Sequence, residues 1–155
     1  MFDIYEILKR LPHRYPFLLV DRVLEIVPGE MCKAVKNVTM NEPQFQGHWP
    51  ENPMFPGVLV LEAMAQVGAI CVLSCPENAG MLAVFAGIDG VRFRRQVIPG
   101  DQMIIDVRIT RRKANIGKAE GVTRVGDNIV CEGGFTFAFI EPPGGRDNAS
   151  EGSGA

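Results

Sequence analysis

Pro56-Gly57-Val58-Leu59-Val60-Leu61-Glu62-Ala63-Met64-Ala65-Gln66-Val67-Gly68-Ala69-Ile70-Cys71-Val72-Leu73-Ser74-Cys75 is the segment on which the architecture turns. Pro56 opens it, Pro76 closes it, and between them apolar residues occupy every side. That pattern predicts one long buried helix. At ~1.5 Å per residue it would span roughly 30 Å, the width of a small domain. The remaining chain must supply the walls that bury it.

Two features set this helix apart from core filler. Glu62 and Gln66 are its strongly polar interior residues, and their spacing puts both on one face, so a carboxyl is carried into an apolar interior. At the other extreme the N-terminus lacks a cap: Phe55 precedes Pro56, with no Ser, Thr, Asp or Asn in place. The N–H groups of Gly57 and Val58 are therefore left to serve a ligand oxygen.

Outward from the helix the pattern turns to strands. Residues 3–11 are a short helical candidate stopped by Pro12. Phe17 to Val27 is rich in branched residues, Pro28-Gly29 is a turn, and Glu30 to Thr39 alternates again, which predicts a β-hairpin. After the helix come Met81 to Phe93, Met103 to Thr110, Ile116 to Val125 and Ile129 to Ile140, separated by turn residues, which predicts a four-strand meander. Strands on both sides of an apolar helix bury it only by forming one antiparallel sheet that wraps it. The expected class is α+β, with about six strands around one long central helix. Ala63, Ala65, Gly68 and Ala69 would let sheet and helix approach closely. The helix face left uncovered calls for a second copy of the chain, hence a dimer.

A length of 155 residues fits one domain, and 46% hydrophobic with 22% charged residues is ordinary globular composition. The expected domain runs over 1–141. From Pro142 to Ala155 the composition, rich in Gly and Pro and then polar, predicts a flexible tail. A formal net charge of −2 argues against nucleic acid as the main partner. Neither a signal peptide nor a membrane span is expected, since the N-terminus lacks a basic and an apolar region and the long helix is interrupted by Glu62 and Gln66. Cys32, Cys71, Cys75 and Cys131 show no Cys-x-x-Cys spacing, and His13 and His48 are the two histidines. Buried reduced thiols in a cytoplasmic protein, with no metal site, are the reading these residues support.

His48 sits in a Pro-rich loop just ahead of the helix that carries Glu62. An imidazole titrating near about pH 6.5 is a natural proton acceptor, and a carboxyl placed among apolar residues has its ionised form disfavoured and can donate a proton. A base, an acid and free amides at a helix terminus are the parts needed to remove a proton next to a carbonyl.

Three ordered blocks of the chain carry a resemblance. Gly47-His48-Trp49-Pro50 through Phe55-Pro56-Gly57-Val58-Leu59 and Glu62-Ala63-Met64-Ala65-Gln66 resembles the active-site motif of the FabZ-type (3R)-hydroxyacyl-acyl-carrier-protein dehydratases of type II fatty acid synthesis. Leu11-Pro12-His13-Arg14-Tyr15-Pro16-Phe17-Leu18-Leu19-Val20-Asp21-Arg22 resembles that family's N-terminal signature, and Phe85-Ala86-Gly87-Ile88-Asp89 through Arg92-Phe93-Arg94-Arg95 to Pro99-Gly100-Asp101-Gln102 its post-helix signature. The resemblance covers about residues 5–140. It implies a hot-dog fold, no cofactor, and a homodimer that can assemble further into a hexamer as a trimer of dimers. By it, His48 and the Glu62 of the other subunit are the catalytic pair, Gly57, Val58 and Gln66 bind substrate, and the product is the trans-2-enoyl thioester. The basic residues Arg92, Arg94 and Arg95 suit an acidic acyl carrier protein.

The chain departs from the family at Trp49, where Phe is usual, at Glu51, where Gly is common, and at Val84, where some members carry an aromatic. His13, Arg14 and Arg22 read as structural, packing the N-terminal segment onto the sheet and meeting carboxylates. Two rival functions stay open at this point: a hot-dog acyl thioesterase, and a non-catalytic acyl-carrier-binding module.

Overall fold

The computed structural model describes residues 1–144. Residues 145–155, which hold most of the expected tail, lie outside the described residues. The elements run α1 (Ile4–Leu8), β1 (Arg22–Val27), β2 (Met31–Asn37), α2 (Gly57–Leu73), β3 (Leu82–Phe93), β4 (Gln102–Lys113), β5 (Ile116–Val125) and β6 (Asn128–Ile140). This is the hot-dog arrangement: one six-stranded antiparallel sheet around one long helix.

The predicted helix forms over 17 residues, and twelve of them are buried because it is walled by sheet along most of its circumference. It packs on β2, β4 and β5, with β3 and β6 also in contact. Inward-facing residues alternate along β4 as Met103, Ile105 and Val107, the period of two expected of a strand with one dry face. Small residues set the helix–sheet distance from both sides. A Cβ at Gly68 would lie 3.0 Å from the Phe135 ring, and one at Gly121 of the sheet would lie 2.5 Å from Met64 Cε.

Helix α2 ends in a well-satisfied way. Gly29 N–H, in the turn between β1 and β2, donates to Cys71 O at 3.0 Å, and the buried Asn78 side chain donates to Val72 O at 2.7 Å. Ser74 returns both its N–H and its hydroxyl to Ile70 O. Of the carbonyls left over at the helix C-terminus, those of Cys71 and Val72 therefore find partners from elsewhere in the fold, and that of Ile70 is met by the cap residue Ser74. All four cysteines are free and buried, as expected, and burial pushes the Cys32 thiol up to about 12 and the Cys71 and Cys131 thiols up to about 11.

Two expectations need correction. The last four strands do not form a consecutive meander: the sheet order is β1-β2-β4-β5-β6-β3, so β4, β5 and β6 are sequential neighbours while β3 pairs with β6 at the far edge. The segment 94–101 carries the chain across, pinned by buried Val97, whose carbonyl accepts from Phe55 N–H at 2.7 Å. Pairing β2 with β4 instead lets the N-terminal hairpin join the same sheet. The first strand also begins at Arg22 rather than Phe17. Ahead of it, Gln66 of α2 takes the backbone of the segment: its Nε2 donates to Phe17 O at 2.8 Å and its Oε1 accepts from Leu19 N–H at 2.9 Å. A side-chain amide thus substitutes for a neighbouring strand. Among the described residues no helix is long and apolar enough to cross a membrane.

Candidate active site

The loop from Asn37 to Pro56 places His48, and it is anchored by polar groups that the core partly encloses. Lys36, at the end of β2, reaches Glu42 Oε1 at 2.7 Å and Asn37 O at 2.7 Å, while the other Glu42 oxygen accepts from Thr39 N–H at 2.8 Å. Phe45 plugs the loop into the core beside Phe55. His48 N–H then donates to Gln44 O at 2.8 Å.

The ring of His48 has a defined tautomer. Its Nδ1 lies 2.7 Å from Met54 O, and a carbonyl can only accept, so Nδ1 carries the hydrogen and the neutral ring presents Nε2 as a bare acceptor. Trp49, beside it at a ring-centroid distance of 5.3 Å, occupies a left-handed backbone conformation at φ 60° and is exposed. His48 lines a cavity of about 560 Å³ together with Met54, Pro56, Gly57, Val58 and Phe93. Gly57 packs tightly there: a Cβ would lie 3.0 Å from the Phe93 ring.

The start of α2 is the open end of the helix. Pro56 stands at the cap position with no side-chain hydrogen bond, and no acidic residue sits in the first turn. Leu59 and Val60 both donate to Pro56 O, so the amides of Gly57 and Val58 precede the first intrahelical donor. Gly57 and Val58 both line the cavity that His48 lines. An oxygen carrying partial negative charge is the ligand such a terminus favours.

Glu62 stands elsewhere. It lines a second cavity of about 210 Å³ with His13, Ala65, Gln66, Val84, Phe85, Phe135 and Phe137, and the two linings have no residue in common. Val58, Glu62 and Ala65 form the incompletely buried stripe of α2, one helical turn after another. Gln66, 1% exposed, donates from Nε2 to Glu62 Oε1 at 3.0 Å. Its amide is thereby engaged with Phe17, Leu19 and Glu62 at once. One chain brings Glu62 and Gln66 together, and Gly57 and Val58 to His48, but it does not bring the two groups into one cavity.

Of the three arginines, Arg94 and Arg95 line the His48 cavity, and Arg94 is ion-paired with Glu132 of β6. Arg92 is exposed and donates to its own strand at Val91 O. Sequence reasoning missed the approach of His13 to Glu62: Nε2 lies 3.6 Å from Oε1. The signal available was its place in the Leu11-Pro12-His13-Arg14 block. Among the described residues no three His, Cys, Asp or Glu side chains converge as a metal site would require.

Residues 11–134 match the FabA-like domain family. The 3-hydroxyacyl-acyl-carrier-protein dehydratase FabZ of Natranaerobius thermophilus is 56% identical over 141 residues, covering 91% of this chain and 99% of that protein. The protein of the same name from Roseiflexus castenholzii is 54% identical over 139 residues, 90% and 97% of the two chains. Among solved structures, the dehydratase heterocomplex ApeI:P from Xenorhabdus doucetiae shares the fold with a TM-score of 0.71 at 18% identity, over 88% of this chain and 90% of that one.

Proposed function

The chain belongs to the FabA-like family, in the branch of the FabZ 3-hydroxyacyl-acyl-carrier-protein dehydratases, and on that footing we propose how its residues carry the reaction. The enzyme is a hydro-lyase that removes water from a 3-hydroxyacyl thioester on acyl carrier protein, giving the trans-2-enoyl thioester. His48 Nε2 takes the C2 proton, since Nδ1 is occupied by Met54 O. The amides of Gly57 and Val58 receive the thioester oxygen, on which negative charge grows as that proton leaves. The partner subunit's Glu62 gives a proton to the C3 hydroxyl, which departs as water. Gln66 holds the acid in place at the cavity wall.

The observation that carries this reading is the separation of His48 and Glu62 into two cavities within one chain, each with half of the needed groups. A second copy would complete both. The surface suits one: β3 is an edge strand, Phe85, Ile88 and Phe93 on it are exposed, and Val58 on the open stripe of α2 is 70% exposed. An apolar edge of this kind is ordinarily covered. The dimer is the functional minimum, whether or not three dimers assemble further. Arg92, Arg94 and Arg95 are the proposed contact for the acidic carrier: Arg94 and Arg95 line the His48 cavity, and Arg92 is exposed on β3. A cytoplasmic setting fits the four unpaired thiols.

Subunit mixing tests the reading. His48→Ala and Glu62→Gln, each inactive alone, are mixed under conditions of subunit exchange and assayed on 3-hydroxyacyl carrier protein. Half of the dimers are mixed at random exchange, and one of their two sites receives both intact residues, so activity should return to roughly a quarter of wild type. No recovery despite exchange verified by mass spectrometry would place both residues in one chain's site and remove the shared-site reading.

A further inference from the structure

We infer that His13 is a positioning residue for the acid of this site: with Gln66 it holds Oε1 of Glu62, leaving Oε2 to carry the transferable proton into the cavity. The inference rests on the acid role proposed for Glu62. Gln66 Nε2 already donates to Oε1 at 3.0 Å, and His13 Nε2 approaches the same oxygen at 3.6 Å, roughly half an ångström beyond a hydrogen bond. Both therefore converge on one oxygen. A carboxyl oxygen that receives N–H donors is the carbonyl-like one, and the acidic hydrogen then belongs on the other.

The His13 ring is built to present that donor. It stacks on Phe17 at a centroid distance of 6.2 Å with planes 22° apart, and Phe17 is itself tied to Gln66 through its carbonyl. Its Nδ1 is buried with no partner, so a hydrogen there would go unsatisfied, whereas at Nε2 it meets a carboxyl. The charged groups facing the ring are Glu62 from α2 and Arg14 beside it in the loop. The strands of the cavity wall, β3 and β6, contribute Ala83, Val84, Phe85, Phe135 and Phe137. Burial is the largest influence and lowers the imidazole pKa, Glu62 opposes it, and Arg14 adds to it. Burial thus favours the neutral ring, and a neutral imidazole can orient the acid without drawing its proton away. A role confined to packing the N-terminal segment would require only the stack on Phe17.

Two substitutions separate the roles on 3-hydroxyacyl carrier protein. His13→Phe keeps a ring against Phe17 but has no N–H; His13→Gln keeps a donor of similar reach. The expected result for His13→Phe is a kcat lower by about tenfold with KM nearly unchanged, because the acid loses a donor that orients it. His13→Gln should retain most of kcat. Normal kcat in His13→Phe, or equal loss in both variants, would overturn the inference. Should His13→Phe fail to fold, His13→Asn, whose short amide falls short of Glu62, takes its place against His13→Gln: a lower kcat in His13→Asn alone supports the inference, and normal kcat there or equal loss in both overturns it. Glu62→Gln is run alongside: activity in that variant removes the acid assignment and this inference with it. An inactive Glu62→Gln beside a normal His13→Phe removes this inference alone.

Discussion

The two halves of the proposed site are held in opposite ways. On the His48 side the groups are fixed by backbone: Nδ1 on Met54 O, the His48 amide on Gln44 O, and the amides of Gly57 and Val58 at a helix start that no side chain caps. On the Glu62 side they are fixed by side chains, with Gln66 bridging Glu62, Phe17 and Leu19 and His13 closing in from the loop. Each half is therefore vulnerable in its own way. A backbone-held base survives most substitutions around it, whereas a side-chain-held acid depends on neighbours that a single change removes.

The sharpest test of that contrast is loss of the end groups themselves. His48→Ala and Glu62→Gln should each lower dehydration by ~10²–10⁴-fold with unchanged circular dichroism. Near-normal turnover in either would end its assigned role. Next in size is Gln66→Leu, which strips Phe17 O and Leu19 N–H of their partner in the interior. Leaving two buried backbone groups unpaired should cost about 2–5 kcal/mol in urea unfolding, and turnover should fall as Glu62 loses its holder. Unchanged stability would mean water or a shifted segment takes over the amide's bonds. The smallest effect belongs to the mouth of the His48 cavity. Arg95→Glu should slow reaction of carrier-bound substrate by a few-fold, with a rate that falls with added salt, while a pantetheine thioester is indifferent. Equal losses on both substrates would move Arg95 from docking to the cavity itself.

Legibility in the sequence followed the range of the interactions. Helix α2, its missing cap, Glu62 and Gln66 on one face and the turn at Pro28-Gly29 all depend on residues within a few positions of one another, and each was readable from spacing. The segment 17–21 misled because its branched residues look like strand, yet its backbone partner is Gln66, 47 and 49 positions away. His13 was readable as meeting a carboxylate, though not as meeting this one. Helix α2 has to pass before either contact exists.

Composition and periodicity suffice to establish that one apolar helix is wrapped by antiparallel strands, and that a histidine and a glutamate stand near an uncapped helix start. Those are local facts, set by which residues can sit on a buried face and which groups a helix end leaves unpaired. The crossing of β3 to the far edge beside β6 came from the folded chain alone; spacing could not place His48 and Glu62 in different cavities either, although the family resemblance divides them between subunits. The reason is geometric: Glu62 lies one turn along α2 from Val58 on the same incompletely buried stripe, and which cavity each then lines depends on the loops and strands that pack against that stretch of the helix.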